Sequence, residues 1–171
     1  MRFIKIFYCS AVLLLLSSIE AASQNQIPLS IKPTPDISIS LFASSNKVSI
    51  RGLSVVNDNI FWASGSGGMV AKTTDGGKNI EWMQVPGFEK RDFRDIEAFD
   101  QNTAIIMAVS DPAIILKTSD GGKSWKKVFE DTTAGMFLDA MHFEKVNGKL
   151  VGMVVGDPIK QKIFYAKTFD G

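Results

Sequence analysis

The sequence is short of the residues that most often carry chemistry. It holds one cysteine, one histidine and two tyrosines in 171 residues. The cysteine, Cys9, lies in an apolar N-terminal run that is read below as a leader. Once that leader is removed, no disulfide, thiolate nucleophile or cysteine metal site can be built from what remains. The lone His142 excludes a multi-histidine metal centre. Its setting, Asp139-Ala140-Met141-His142-Phe143, has the pattern of an inner strand and predicts a packed or hydrogen-bonded ring, not a catalytic base. An excess of one charge is missing too, with 19 Lys+Arg against 18 Asp+Glu, which argues against nucleic acid or an anionic membrane surface as partner. The longest apolar run, Ile6 to Leu16, is well short of the roughly 20 residues of a spanning helix. No segment sustains a helical period.

What is present begins with that leader. Arg2 and Lys5 are followed by the apolar run and then by Ala21-Ala22-Ser23, the three-part pattern of a secretory signal peptide. Residues 1–23 are assigned to it, with cleavage after Ser23, and a secreted or periplasmic product is expected. Cys9 sits inside the apolar run and not after it, which speaks against a lipid-modified N-terminus. The exported part, residues 24–171, has equal numbers of basic and acidic residues and no integral membrane segment.

The exported part repeats. Lys72-Thr73-Thr74-Asp75-Gly76-Gly77-Lys78 matches Lys117-Thr118-Ser119-Asp120-Gly121-Gly122-Lys123-Ser124-Trp125, and Lys167-Thr168-Phe169-Asp170-Gly171 begins a third copy. A second landmark lies upstream of each: Ile50-Arg51-Gly52-Leu53, Phe93-Arg94-Asp95-Ile96 and Phe137-Leu138-Asp139-Ala140. Both landmarks keep a period of roughly 45 residues. Each repeat reads as four short strands. In the first, these are Gly52 to Val56, Ile60 to Ala63, Met69 to Thr73 and a strand around Trp82 to Val85. Asn57-Asp58-Asn59, Asp100-Gln101-Asn102 and Asn147-Gly148 occupy matching turns, where Asn, Asp and Gly tolerate a left-handed backbone. The second strands of the later repeats, Thr103 to Val109 and Leu150 to Val155, are unbroken apolar runs, which predicts cover on both faces. Four-stranded units of this period, stacked around an axis, make a β-propeller.

Thr118-x-Asp120-x-Gly122-x-Ser124-Trp125 resembles the Asp-box, or BNR repeat. The first copy, Thr73, Asp75 and Gly77, departs from it, with Asn79 at the second hydroxyl position and Trp82 two places late. The third retains Thr168 and Asp170. With the leader, Arg51-Gly52-Leu53-Ser54 and Phe93-Arg94-Asp95-Ile96-Glu97-Ala98-Phe99, the chain is most similar to bacterial propellers grouped with photosystem II assembly and stability factors. The resemblance implies an all-β propeller of four-stranded Asp-box blades, incomplete here at two full repeats and most of a third. The repeats are placed at about 49–90, 91–134 and 135–171. Residues 24–48 are read as a linker with a candidate ring-closing strand, Ile37 to Leu41. The resemblance also implies that Asp75, Asp120 and Asp170 build rim turns and are not ligands or acids.

Ligands of such propellers usually sit on the face formed by blade-joining loops and by the loops between second and third strands. Here these are residues 86–92 and 131–135, and residues 64–68, 110–112 and 156–162. The ligand-binding candidates are Arg51, Arg94, Asp95, Asp111 and Asp157. Arg51 and Arg94 hold equivalent positions in consecutive repeats and are placed to grip a carboxylate or peptide terminus through forked hydrogen bonds. Pairing with a neighbouring carboxylate such as Asp92 or Asp95 is the competing role. Leu138 is read at the third equivalent position.

The expected function is an exported, non-catalytic binding or assembly platform for a protein or peptide, with a glycan as second candidate. The alternative is a secreted glycoside hydrolase of sialidase-like architecture. Sialidases share this repeat, and Asp95, Glu97, Asp139 and Asp157 offer carboxylates for an acid pair. No spacing singles out a pair, however, and Tyr165, the one tyrosine after the leader, is poorly placed as a nucleophile. Gly65-Ser66-Gly67-Gly68 lacks the Gly-Lys-Ser/Thr of a phosphate loop, and Asp-Gly-Gly falls short of a calcium loop. No cofactor, metal or catalytic residue is expected, and neither a dinucleotide fingerprint nor a redox cysteine supports an oxidoreductase.

Overall fold

The computed structural model describes residues 47–171. The leader and the Ile37 to Leu41 segment lie outside the described residues. Eleven strands follow one another: β1 (Ile50–Val55), β2 (Phe61–Gly65), β3 (Met69–Thr73), β4 (Glu81–Gln84), β5 (Phe93–Ala98), β6 (Ala104–Ala108), β7 (Ala113–Thr118), β8 (Lys126–Asp131), β9 (Leu138–Val146), β10 (Lys149–Ile159) and β11 (Lys162–Thr168). They form three antiparallel meanders, β1-β2-β3-β4, β5-β6-β7-β8 and β9-β10-β11. These are three consecutive blades of an all-β propeller, the last with three strands. The innermost strands β1, β5 and β9 lie side by side.

Local chemistry explains the hairpins. Asn57 Oδ1 accepts the amides of Asn59 and Ile60 at 2.9 and 3.0 Å, and Asp100 Oδ1 accepts those of Asn102 and Thr103 at 2.6 and 2.7 Å. Each side chain satisfies amides that a tight turn leaves unpaired. Asn147 and Gly148 both take positive φ, 49° and 78°, the geometry of a two-residue hairpin matched to strand twist.

Two apolar cores lie between the blades. Trp62, Val70, Phe93, Ile96, Ile106 and Leu116 fill the first, between blades 1 and 2. Ile105, Met107, Leu138, Met141 and Val154 fill the second, between blades 2 and 3. Strand β6 is buried along its whole length, as its unbroken apolar run predicts. Strand β10 does not follow that expectation. Its Met153 and Val155 are 46% and 38% exposed, because no further sheet covers that face among the described residues. A second correction concerns residues 156–162, expected as a loop. Here β10 runs on to Ile159 and turns through Lys160 and Gln161, with φ of 51° and 65°. Asp157 therefore belongs to a strand, and its amide donates to the Phe137 carbonyl at 2.8 Å.

The box turns form a repeated lattice. Thr118 Oγ1 donates to Asp120 Oδ1 at 2.9 Å and accepts the Gly122 amide at 3.0 Å. The Ser124 amide donates to Asp120 Oδ1 at 2.9 Å, and the Ser124 hydroxyl to Oδ2. In the first box Thr73 and Gly77 repeat the hydroxyl contacts. Asn79 takes the place of serine, its amide and side-chain Nδ2 donating to Asp75 at 2.9 and 2.7 Å. Thr168 Oγ1 donates to Asp170 Oδ1 at 2.8 Å in the third.

The Ser124 hydroxyl, the Ser124 amide and the Thr118 hydroxyl hold the Asp120 carboxyl down at about 2. The Asn79 amide, the Asn79 side chain and the Thr73 hydroxyl hold Asp75 at about 2 as well. Both pKa values are depressed in the folded state, so their stabilisation is complete above the ordinary carboxylate range and is lost as pH falls from about 4 through about 2. Asp120→Ala is expected to lower the melting temperature at neutral pH, with the difference from the parent shrinking as pH falls through about 2. Thermal melts across that window check it. An unchanged gap at acid pH would remove the carboxylate from the account.

Tryptophan placement departs from a simple reading of the boxes. Trp125 packs against the first core, with Nε1 donating to the Gly122 carbonyl at 3.2 Å. Trp82, in β4, pairs with Ala71 and so lies on the sheet face opposite its neighbour Met83, which does pack on that core.

Candidate binding site at the channel mouth

The two loop sets singled out from sequence meet at one end of the sheets. Ser66 donates its amide to the Ser49 carbonyl at 3.0 Å, and Gly68 to that of Arg91 at 2.7 Å. Val109 donates to the Asp92 carbonyl at 3.2 Å. The Gly135 amide donates to Asp111 Oδ2 at 3.1 Å. Asp111 thus ties a blade-joining loop to a loop within blade 2.

Each innermost strand carries a bulge at this end. The register skips Arg51 in β1, Arg94 in β5 and Asp139 in β9. A bulged residue is left out of the ladder, and its side chain is re-aimed. Asp139, not Leu138, is therefore the third member of the series. Leu138 pairs with Gly156, as Phe93 pairs with Ala108, and is fully buried. Arg51, Arg94, Asp95, Asp139 and Ile50 line one open, largely polar cleft.

The arginines are partnered but accessible. Arg51 Nη2 is 2.8 Å from Asp92 Oδ2, with both side chains about 40% exposed. Arg94 Nη2 lies 3.6 Å from Asp139 Oδ1, and its Nε donates to the Asp139 carbonyl at 3.1 Å. Its partner is thus neither Asp92 nor Asp95 but a residue of the next blade. Arg94 also sits 5.3 Å from the Phe137 ring centroid. Exposed pairs of this kind contribute only about 0–1 kcal/mol, so an incoming carboxylate can replace Asp92 or Asp139 at small cost.

Asp95 serves the junction between blades. Its Oδ1 accepts the Ile96 amide and its Oδ2 the Met141 amide, each at 2.9 Å. Asp157 occupies an exposed position near the end of β10. His142 is hydrogen-bonded but not packed: its ring is largely exposed, with Nδ1 3.1 Å from Glu97 Oε1. Tyr165 lies exposed on β11, the strand of its sheet farthest from the innermost β9. It is therefore separated in the fold from the arginines of β1 and β5.

Arg91 was not singled out from sequence, yet it organises the rim. Its guanidinium donates to the carbonyls of Val109 and Ser110 at 3.0 Å, to that of Asp111 at 3.2 Å, and to that of Pro112. No local motif marks it, because its acceptors lie about twenty residues downstream.

Among solved structures the fold has clear relatives. "YCF48 from Cyanidioschyzon merolae" superposes with a TM-score of 0.54 at 18% identity, covering 75% of this chain and 39% of that one. "YCF48 bound to D1 peptide" superposes with a TM-score of 0.50 at 20% identity, covering 70% of this chain and 39% of that one. The chain spans about two fifths of the length of these relatives. A search of curated protein sequences found no significant match. The family model described as "Photosynthesis system II assembly factor YCF48" matches residues 39–135, more than half of the chain. The three blades, their Asp-box turns and this match together show that the chain belongs to the YCF48 family of Asp-box propellers.

Proposed function

We propose that the chain is an exported, non-catalytic platform that captures a peptide or protein partner by a carboxylate at the channel mouth, in the manner of an assembly factor. The observation that carries this reading is the pair of guanidiniums, Arg51 and Arg94. They occupy the same bulge position of adjacent innermost strands and open on one cleft. Two forked donors side by side suit a carboxylate better than an apolar or cationic group. The relative solved with a D1 peptide supports a peptide as the partner class, and the leader of residues 1–23 supports export. Asp111 and Asp157 lie on the same rim and would face the partner's donors.

The test uses that D1 peptide as probe, labelled at its N-terminus and prepared with a free or an amidated C-terminus. Fluorescence anisotropy should show binding that weakens about a hundredfold in the Arg51→Ala/Arg94→Ala double variant, with an unchanged melting temperature. Amidation should weaken binding to the parent and make little difference to the double variant. Equal affinity of parent and double variant for the free-acid peptide would retire the arginine site.

A further inference from the structure

Arg51 and Arg94 share one bulge position, yet the residue that meets each of them from the next blade is different. Phe93 pairs with Ala108 and Leu138 with Gly156, so Asp92 and Phe137, one residue earlier, are equivalent. The hydrogen bonds beside those pairs repeat the match. The Asp92 carbonyl accepts the Val109 amide at 3.2 Å, and the Phe137 carbonyl accepts that of Asp157 at 2.8 Å. This one position therefore meets Arg51 with a carboxylate, at 2.8 Å, and Arg94 with an aromatic ring, 5.3 Å from its centroid.

The two donors are consequently unequal. Arg94 is fixed in orientation, because its Nε donates to the Asp139 carbonyl at 3.1 Å while the guanidinium lies over Phe137. The Asp139 carboxylate stands 3.6 Å from Arg94 Nη2, which is beyond hydrogen-bond length. Internal competition for the Arg94 terminal nitrogens is weak. Arg51 Nη2 instead forms a close ion pair with Asp92, a group of the same chemistry as the incoming ligand.

Resting on the reading that this cleft takes a partner's carboxylate, we propose that Asp92 is a built-in competing ligand. Arg94 anchors the partner's carboxylate first, and Arg51 closes on it only as Asp92 is displaced. Asp92 thereby limits the affinity of the site and keeps capture reversible. Phe137, at the same position of the next blade, lets Arg94 act without that brake.

The experiment measures binding of the same labelled free-acid peptide to the purified full chain. Asp92→Asn, which leaves the backbone bond to Val109 in place, should bind about threefold more tightly, the size expected when one exposed ion pair no longer competes. In an Arg51→Ala background the same substitution should bring no gain, since the group that Asp92 occupies is gone. Arg94→Ala should weaken binding more than Arg51→Ala. Affinity unchanged or reduced by Asp92→Asn would overturn the proposal. So would a gain that persists without Arg51, which would make Asp92 only a diffuse negative charge, or an Arg51→Ala loss equal to or larger than that of Arg94→Ala. Arginine-dependent binding with no gain from Asp92→Asn removes the competing ligand alone, whereas binding that survives loss of both arginines removes the carboxylate site and this proposal together.

Discussion

Trp62→Ala is expected to lower stability by about 4 kcal/mol, as for other large-to-small changes at buried aromatics. Domains of this kind have a total of roughly 5–15 kcal/mol, so the variant should sit near the edge of folding. Trp62 is fully buried in β2 at the centre of the core between blades 1 and 2. Its indole Nε1 donates to the Asp100 carbonyl of the next blade at 3.1 Å, and Lys72 lies 5.0 Å from its ring centroid. Truncation therefore opens a cavity and leaves the Asp100 carbonyl without this donor. It also removes the ring over which Lys72 reaches the Gly121 carbonyl of the next blade. Urea unfolding checks the magnitude. Trp62→Phe should recover most of the loss and fall short by about 1 kcal/mol for the missing hydrogen bond. Trp82→Ala, at a half-buried residue outside that core, should cost clearly less. Equal costs at the two tryptophans would mean that blade packing is not organised around Trp62.

Arg91→Ala is expected to cost about 3 kcal/mol and to loosen the rim from Val109 to Pro112. The guanidinium is donor to four successive backbone carbonyls of that segment, and hydrogen bonds to a charged group contribute about 1.5–3 kcal/mol apart from any coupling among them. Without the guanidinium, those carbonyls turn to water and the loop loses its template. Asp111 would lose its fixed place opposite Gly135. Hydrogen exchange should show the loss of protection confined to residues around 109–112 and 135. Peptide affinity should fall with it, although Arg91 is not offered as a ligand. Lysine at this position should rescue little, because one ammonium cannot span four acceptors in a planar fork. Full rescue by Arg91→Lys would show that charge alone, and not the fork, holds the loop.

Much of this architecture is legible in the sequence because its signals are local. A box turn is closed by bonds from residue i to residues i+2 and i+4, so Thr118, Asp120, Gly122 and Ser124 announce it without reference to the rest of the chain. Asn79 replaces serine with the turn kept closed, because its side-chain amide reaches the same carboxylate oxygen. The turns at Asn57, Asp100 and Asn147-Gly148 are local in the same sense. Strand β6 was readable as doubly covered from its composition. The apolar run of β10 looks the same, yet that strand is half bare, since burial depends on a neighbouring sheet and not on the strand itself.

The candidate site was legible in part. Arg51 and Arg94 are matched in the repeat, but the third position was misread by one residue. Cross-strand register places the bulge at Asp139 and buries Leu138, and a one-residue slip in a strand exchanges its two faces. Arg94 consequently has a partner in the next blade that no local pattern suggests. Asp95 lines the cleft and also staples β5 to β9 through the Met141 amide, a link between blades that its sequence neighbours do not announce.

The amino-acid sequence by itself determined the period of the blades, the chemistry of their turns and the family, because each rests on contacts a few residues long. Only the tertiary structure decided which bulged side chains line one cleft, that Arg91 templates the rim, and that β10 is half bare among the described residues. Those features depend on register and on sheet-to-sheet packing between residues some 20 to 50 positions apart, where the repeat constrains spacing but not phase.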